Sequence, residues 1–92
     1  FTDSHCHLDP GSFDGDAGVD AAVARAKAAG VSRMITIGAG YGLRCGPAAI
    51  AVAERHEGVY CTVGVHPHDA KEWGEGTESA LRSMLAHPRC VG

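Results

Sequence analysis

The chain opens Phe1-Thr2-Asp3-Ser4-His5-Cys6-His7, a short run suited to an extended strand that ends in two histidines one residue apart. Side chains at i and i+2 of a strand point to the same face, so His5 and His7 are placed to share one divalent ion. Imidazole nitrogen binds zinc and similar metals at roughly 2.0–2.1 Å, a reach that two neighbours on one face satisfy together. Two solvated histidines at a frayed terminus are the alternative. Recurrence of the same unit downstream decides between them and sets the fold.

That recurrence is visible. Arg33-Met34-Ile35-Thr36-Ile37 reads as a second strand, Val59 to Val65 as a third rich in β-branched residues, and Arg89-Cys90-Val91-Gly92 as the opening of a fourth. Helical patterns lie between them. Val19, Ala22, Val23, Ala26 and Ala29 recur at helical spacing over residues 17–29, and Gly30 supplies the stop. A second helix is predicted from Pro47, suited to a first turn, to His56. A third is predicted over residues 77–87, with Thr77 as N-cap and Leu81, Met84 and Leu85 as its apolar face. Strands therefore start near residues 2, 33, 59 and 89, one strand-plus-helix unit every 26–31 residues or so.

Strand, helix, parallel strand is the βαβ unit, and eight of them closing into a (β/α)₈ TIM barrel take roughly 250 residues. The 92 residues hold about three and a half units. The fold class predicted is α/β, with residues 1–92 forming a partial barrel domain, the N-terminal part of a larger enzyme truncated at its C-terminal side. Alone, such a piece leaves a sheet edge unpaired and is expected to be unstable or to aggregate.

The connections point to one functional face. Loops after the strands are long and rich in Gly, Pro and polar residues: Leu8 to Asp16, Gly38 to Gly46 and His66 to Gly76. Those after the helices are short: Gly30-Val31-Ser32, Glu57-Gly58 and Pro88. Barrel active sites are built from loops at the carboxyl ends of the strands, the side elaborated here.

Composition excludes several classes. Apolar residues make up 45% and charged residues 21%, which argues against disorder, and no stretch is long and apolar enough to be a membrane span. The net charge of −3 supplies no basic stripe to grip a nucleic-acid backbone, so a phosphate-bearing substrate has to be met by metal ions and a local site. Cys6, Cys45, Cys61 and Cys90 are scattered with no C-x-x-C pair, and read as reduced thiols in a cytoplasmic protein. Cys6 lies between the histidines and faces away from them, while Cys61 and Cys90 serve as small buried hydrophobes.

A second His-x-His, His66-Pro67-His68, closes the third strand. Thr62, Gly64 and His66 fall on one face, Val63 and Val65 on the other beneath the helices, and Gly64 leaves room at the barrel mouth. His66 is either a hydrogen-bonded core histidine or part of a site shared with His5 and His7. The loop Gly38-Ala39-Gly40-Tyr41-Gly42-Leu43-Arg44 leads into the second helix, whose first amides and Arg44 are candidates for holding a phosphate, a flexible connection being the alternative. Trp73 either stacks on an unpaired base or packs on its own loop. Asp9 either assists the first site or caps its loop. His56 and His87 sit at helix C-terminal ends, where dipole contacts suffice to explain them.

Thr2-Asp3-Ser4-His5-Cys6-His7-Leu8-Asp9, Ala28-Ala29-Gly30-Val31, Ile35-Thr36-Ile37-Gly38 and Val63-Gly64-Val65-His66-Pro67-His68 together resemble the TatD family of metal-dependent hydrolases, over essentially the whole chain and in the same order. The resemblance implies a TIM barrel of the metal-dependent hydrolase type and a divalent-metal-dependent deoxyribonuclease acting on DNA, with two metal ions (Zn, Mg or Mn) in the complete site. It implies that His5 and His7 are ligands of one ion and that His66 lies near the substrate phosphate; His68 beside it and Arg44 ahead of the second helix are added as candidate substrate-binding residues from their places in the sequence. The bridging Glu and the later His and Asp residues of the family are expected past Gly92, so no catalytic residue is assigned within the 92 and the isolated piece is expected to be inactive. An amidohydrolase or phosphoesterase acting on a small molecule, and a noncatalytic metal-binding fragment, remain as alternatives.

Overall fold

The computed structural model describes residues 1–92 and gives strands and helices in alternation: β1 (Thr2–Cys6), α1 (Gly15–Ala28), β2 (Arg33–Gly38), α2 (Cys45–Arg55), β3 (Val59–Val63) and α3 (Thr77–Leu85). Short 3₁₀ turns at Pro10–Ser12 and Pro67–Glu72 sit inside the first and third strand-to-helix loops. The three strands form one parallel sheet in the order β1-β2-β3. Residues 89–92 begin a fourth strand beside β3: Cys61 N donates to Arg89 O, Val91 N to Cys61 O and Val63 N to Gly92 O, each at 2.9 Å. The predicted α/β fold and its parallel register are thus present.

Boundaries moved where partners or prolines dictate. β3 stops at Val63, not Val65, because its ladder partner β2 ends at Gly38, the residue paired with Val63. α3 ends at Leu85, not His87; Pro88 disfavours the helical conformation for the residue before it. Thr77 is the first helical residue and not the cap: left-handed Gly76 occupies the N-cap, and the buried Thr77 hydroxyl accepts from Gly74 N at 3.0 Å. Leu81 and Met84 are half-buried, but Leu85 remains exposed.

The core lies between the sheet and its helices. Val19 and Val23 of α1, Ala49, Val52 and Ala53 of α2, Met34, Val59 and Cys61 of the sheet, and Leu8 form one buried cluster. Each fully buried valine contributes about 1.5–3 kcal/mol. α2 approaches the sheet closely at Gly38, where a β-carbon would overlap the Thr62 carbonyl oxygen and crowd Ala49. Only 14 of 92 residues are buried, because helices cover one face of the sheet alone. The other face presents Thr2, Arg33, Ile35, Tyr60 and Val91 around an open concavity of about 220 Å³.

Two polar staples tie the helices together. Arg55 at the end of α2 pairs with Asp16 at 3.0 Å and with Asp20, both on α1, while His56 Nε2 meets Asp20 Oδ1 at 2.8 Å. His87 Nε2 lies 2.8 Å from Glu54 Oε1 of α2, and its Nδ1 accepts from Arg89 N at 3.1 Å. An acceptor at Nδ1 leaves the ring proton on Nε2, where it donates to Glu54. The two helix-end histidines therefore have carboxylate partners on neighbouring helices, beyond any dipole contact.

Candidate functional site

β1 is irregular where it matters. Asp3 pairs with Met34 and Cys6 with Thr36, so Ser4 and His5 together oppose the single residue Ile35, as in a β-bulge. Asp3 Oδ1 accepts from His5 N at 3.1 Å within this step. Cys6 packs against the helix-side core and its thiol lies 3.4 Å from Ile35 O. Burial first, and Asp3 second, push that thiol up to about 11. Cys6 is turned to the helices, and the rings of His5 and His7 on either side of it lie with centroids 5.3 Å apart and planes at 70°. Both rings are exposed, and none of their four nitrogens enters a hydrogen bond or ion pair within the chain.

His66 and His68 are built differently. His66 follows the end of β3 by three residues and caps the Pro67–Glu72 turn, its Nδ1 accepting from His68 N at 3.1 Å. The two ring centroids lie 4.9 Å apart. An acceptor at Nδ1 leaves the neutral His66 ring with its proton on Nε2, a donor turned outward. Such a donor suits a phosphate oxygen. Gly64 has open space around it, and Val63 packs on the helix side against Gly46, as the alternation predicts.

The second loop is anchored to the third. Gly42 N donates to Asp69 Oδ2 at 3.3 Å, and buried Gly42 lies against the Glu72 carboxylate. Arg44 folds back on its own loop: Nε donates to Tyr41 O at 2.9 Å, and its guanidinium carbon lies 5.7 Å from the Tyr41 ring centre. Cys45 opens α2, and burial with help from Asp9 and Asp69 raises its thiol while Arg44 opposes the rise. Asp9 caps the Pro10–Ser12 turn, accepting from Gly11 N at 3.1 Å and Ser12 Oγ at 3.4 Å. Trp73 is 54% exposed and not packed away on its loop.

Sequence reasoning did not find the β1 bulge, the Asp69 contact or a cavity of about 220 Å³ between the first two loops, lined among others by His7, Asp9, Tyr41 and Cys45. The Gly-Tyr-Gly run was the available signal for the last. The rings of His5 and His7 lie beside one another, and so do those of His66 and His68. The chain alone brings no third His, Cys, Asp or Glu into a group able to hold a metal ion.

The chain is an α/β protein with a parallel sheet, and its paired histidines and long loops lie at or just past the carboxyl ends of the strands. Residues 2–92 match the family model described as TatD related DNase, and the chain belongs to that family. It is similar to the 3'-5' ssDNA/RNA exonuclease TatD of Enterobacter lignolyticus (strain SCF1), 43% identical over 72 residues that cover 78% of the chain and 27% of the relative. The 3'-5' ssDNA/RNA exonuclease TatD of Cronobacter sakazakii is 42% identical over 79 residues, 86% of the chain and 28% of the relative. That of Edwardsiella piscicida is 37% identical over 86 residues, 92% and 32% respectively. The chain thus matches only about a third or less of the length of these relatives. No helix is long and apolar enough to cross a membrane.

Proposed function

We propose that the chain forms the first part of a (β/α)₈ barrel and supplies part of the site of a divalent-metal-dependent phosphodiester hydrolase acting on single-stranded nucleic acid, DNA foremost. The observation that carries this reading is the His5–His7 pair: two unengaged imidazoles side by side at the carboxyl end of a parallel strand. The donor set fits a borderline metal such as zinc, with Mn and Mg as alternatives, and fits it as two ligands of a fuller set. The remaining ligands of such a set would come from residues outside these 92, since the matched relatives are about three times as long as the stretch they share with the chain. A metal held by His5 and His7 with those ligands would supply Lewis-acid polarisation of the phosphodiester and lower the pKa of a bound water.

The residues of the chain itself bind and orient. His66 Nε2–H donates to a phosphate oxygen, its ring held by the His68 amide. His68 lies beside it with an exposed ring, and the exposed Arg44 guanidinium retains donors outside its bond to Tyr41 for the same phosphate or its neighbour. The relatives' names, exonucleases of ssDNA and RNA, support a single-stranded substrate over a duplex.

The test is metal content by mass spectrometry together with cleavage of a single-stranded oligonucleotide by the full-length protein, before and after His5→Ala and His7→Ala. Loss of bound metal and of cleavage together is expected. Unchanged occupancy and rate would remove the assignment.

A further inference from the structure

The cavity beside His7 is not a phosphate site in its own chemistry. Its floor is apolar, built by Leu8 and Ala49 among others, its polar wall is Asp9 with Ser12, and Tyr41 stands at its rim. Cys45 at the first turn of α2 has its thiol raised first by burial and then by Asp9, with Arg44 opposing and Asp69 adding a little, so the cavity wall carries a carboxylate beside apolar surface. Its volume of about 220 Å³ falls below the roughly 300–1,000 Å³ of pockets for drug-sized ligands and suits one planar ring system with little else.

Tyr41 is positioned unusually for an exposed residue. It is 71% exposed and has φ of 51°, the only non-glycine residue of the chain with positive φ, between Gly40 and Gly42, which share the left-handed sign. A bulky side chain there costs backbone energy on the order of 1–3 kcal/mol and persists only where its surroundings hold it. They do: Arg44 bonds its carbonyl and lies by its ring, and the next residue is tied to Asp69 and packed on Glu72. The loop thus places the exposed Tyr41 at the edge of a cavity whose lining is mostly apolar.

We propose that this cavity is a nucleobase subsite, in which the base of the nucleotide next to the cleaved bond enters the slot and stacks on Tyr41. The proposal rests on the nuclease reading for the base's place next to the reacting phosphate, since His7 forms part of the cavity wall. Asp9 selects among bases. A carboxylate has about four lone-pair positions, and Asp9 spends two oxygens on Gly11 N and Ser12 Oγ without exhausting them, so an exocyclic amino group can donate to it. Adenine, cytosine and guanine carry that group, and thymine does not.

The experiment is a titration of the full-length, metal-free protein with adenosine, thymidine and ribose 5-phosphate, followed by the amide signals of Leu8, Ala39 and Cys45. Adenosine is expected to move these signals at lower concentration than thymidine, and ribose 5-phosphate not to move them. Tyr41→Gly removes the ring while suiting the positive φ, so the loop keeps its path; it should weaken adenosine about 5- to 150-fold, with Tyr41→Phe close to wild type. Equal binding of adenosine by the Tyr41→Gly variant, or ribose 5-phosphate matching adenosine, overturns the subsite. Because no metal or turnover enters this readout, loss of the nuclease reading shows separately: adenosine binding persists in a protein that fails to cleave oligonucleotides.

Discussion

The chain writes His-x-His twice and builds two different objects from it. His5 and His7 belong to a strand edge, flank a residue turned to the core, and keep all their ring nitrogens unengaged. His66 and His68 lie past the end of β3, where Pro67 ends the ladder and starts a turn that His66 caps through Nδ1. The ring spacing is alike, 5.3 and 4.9 Å, so spacing alone says nothing of the role. The difference lies in the nitrogens: a free lone pair is a metal donor, and a ring whose Nδ1 is occupied by an amide is left with an N–H to give.

The sharpest break of that contrast is the first pair. On the proposed ligation, His5→Ala or His7→Ala takes away a direct ligand, and the expected fall in metal affinity exceeds the roughly 10- to 100-fold typical of losing a group that only supports a ligand. Equilibrium dialysis against a zinc chelator measures it, and His66→Ala should leave that affinity within a few fold. A large fall in the His66→Ala protein would mean that both pairs ligate. Next comes the second pair's own role. His66→Asn keeps a side-chain acceptor for the His68 amide but loses the outward donor, so kcat/KM on an oligonucleotide should drop about 10- to 150-fold, the size of a hydrogen bond to a charged group, while thermal stability stays level. His66→Ala should show the same kinetic loss and an added destabilisation of about 0.5–2 kcal/mol. If Asn restores the rate, His66 serves only to shape the turn.

How far these roles could be read from sequence follows the range of the forces involved. Strand starts, helices and the parallel order came from local periodicity and from Gly and Pro punctuation, all of which act within a few residues. The pairing of His5 with His7 was equally local. The bulge between Asp3 and Cys6 was not, because it is set by which residues of β2 lie opposite, and nothing in Asp3-Ser4-His5 marks it. Nor was the tautomer of His66, which depends on the turn that Pro67 starts. Gly42 and Asp69 are 27 residues apart, and Asp20 and His56 are 36 apart, so these contacts appear only once the chain has closed on itself.

Smaller effects separate the halves further. Pro67→Ala frees the unfolded chain and should cost about 0.4–1 kcal/mol, whereas Cys6→Ala within the first pair should act through lost packing and leave the turn untouched; urea unfolding of the two variants compares them. At neutral pH the least effect is that of Cys61, on β3. Complete burial, with Cys90 beside it, pushes its thiol up to about 12 from an ordinary value of 9.0. The folded state therefore holds this proton more tightly than the unfolded one, so its contribution is fully present below pH 9 and is lost as pH rises toward 12. Unfolding free energy should decline over that window, and less steeply in Cys61→Ala. An equal slope in both proteins would place the alkaline loss elsewhere.

The three-against-two step in β1 acts like a frameshift in a message with a two-letter period. Phe1 to Asp3 and His5 to His7 are read in separate frames, each fixed by its own anchor: Phe1 O accepts from Ser32 N at one end, and Leu8 N donates to Thr36 Oγ1 at the other. A deletion at Ser4 would merge the frames and force one segment to turn over, whereas changes of side chain before Asp3 leave the histidines' facing untouched. The start of the chain is therefore free to drift in composition while the orientation of the site stays under the separate control of one extra residue.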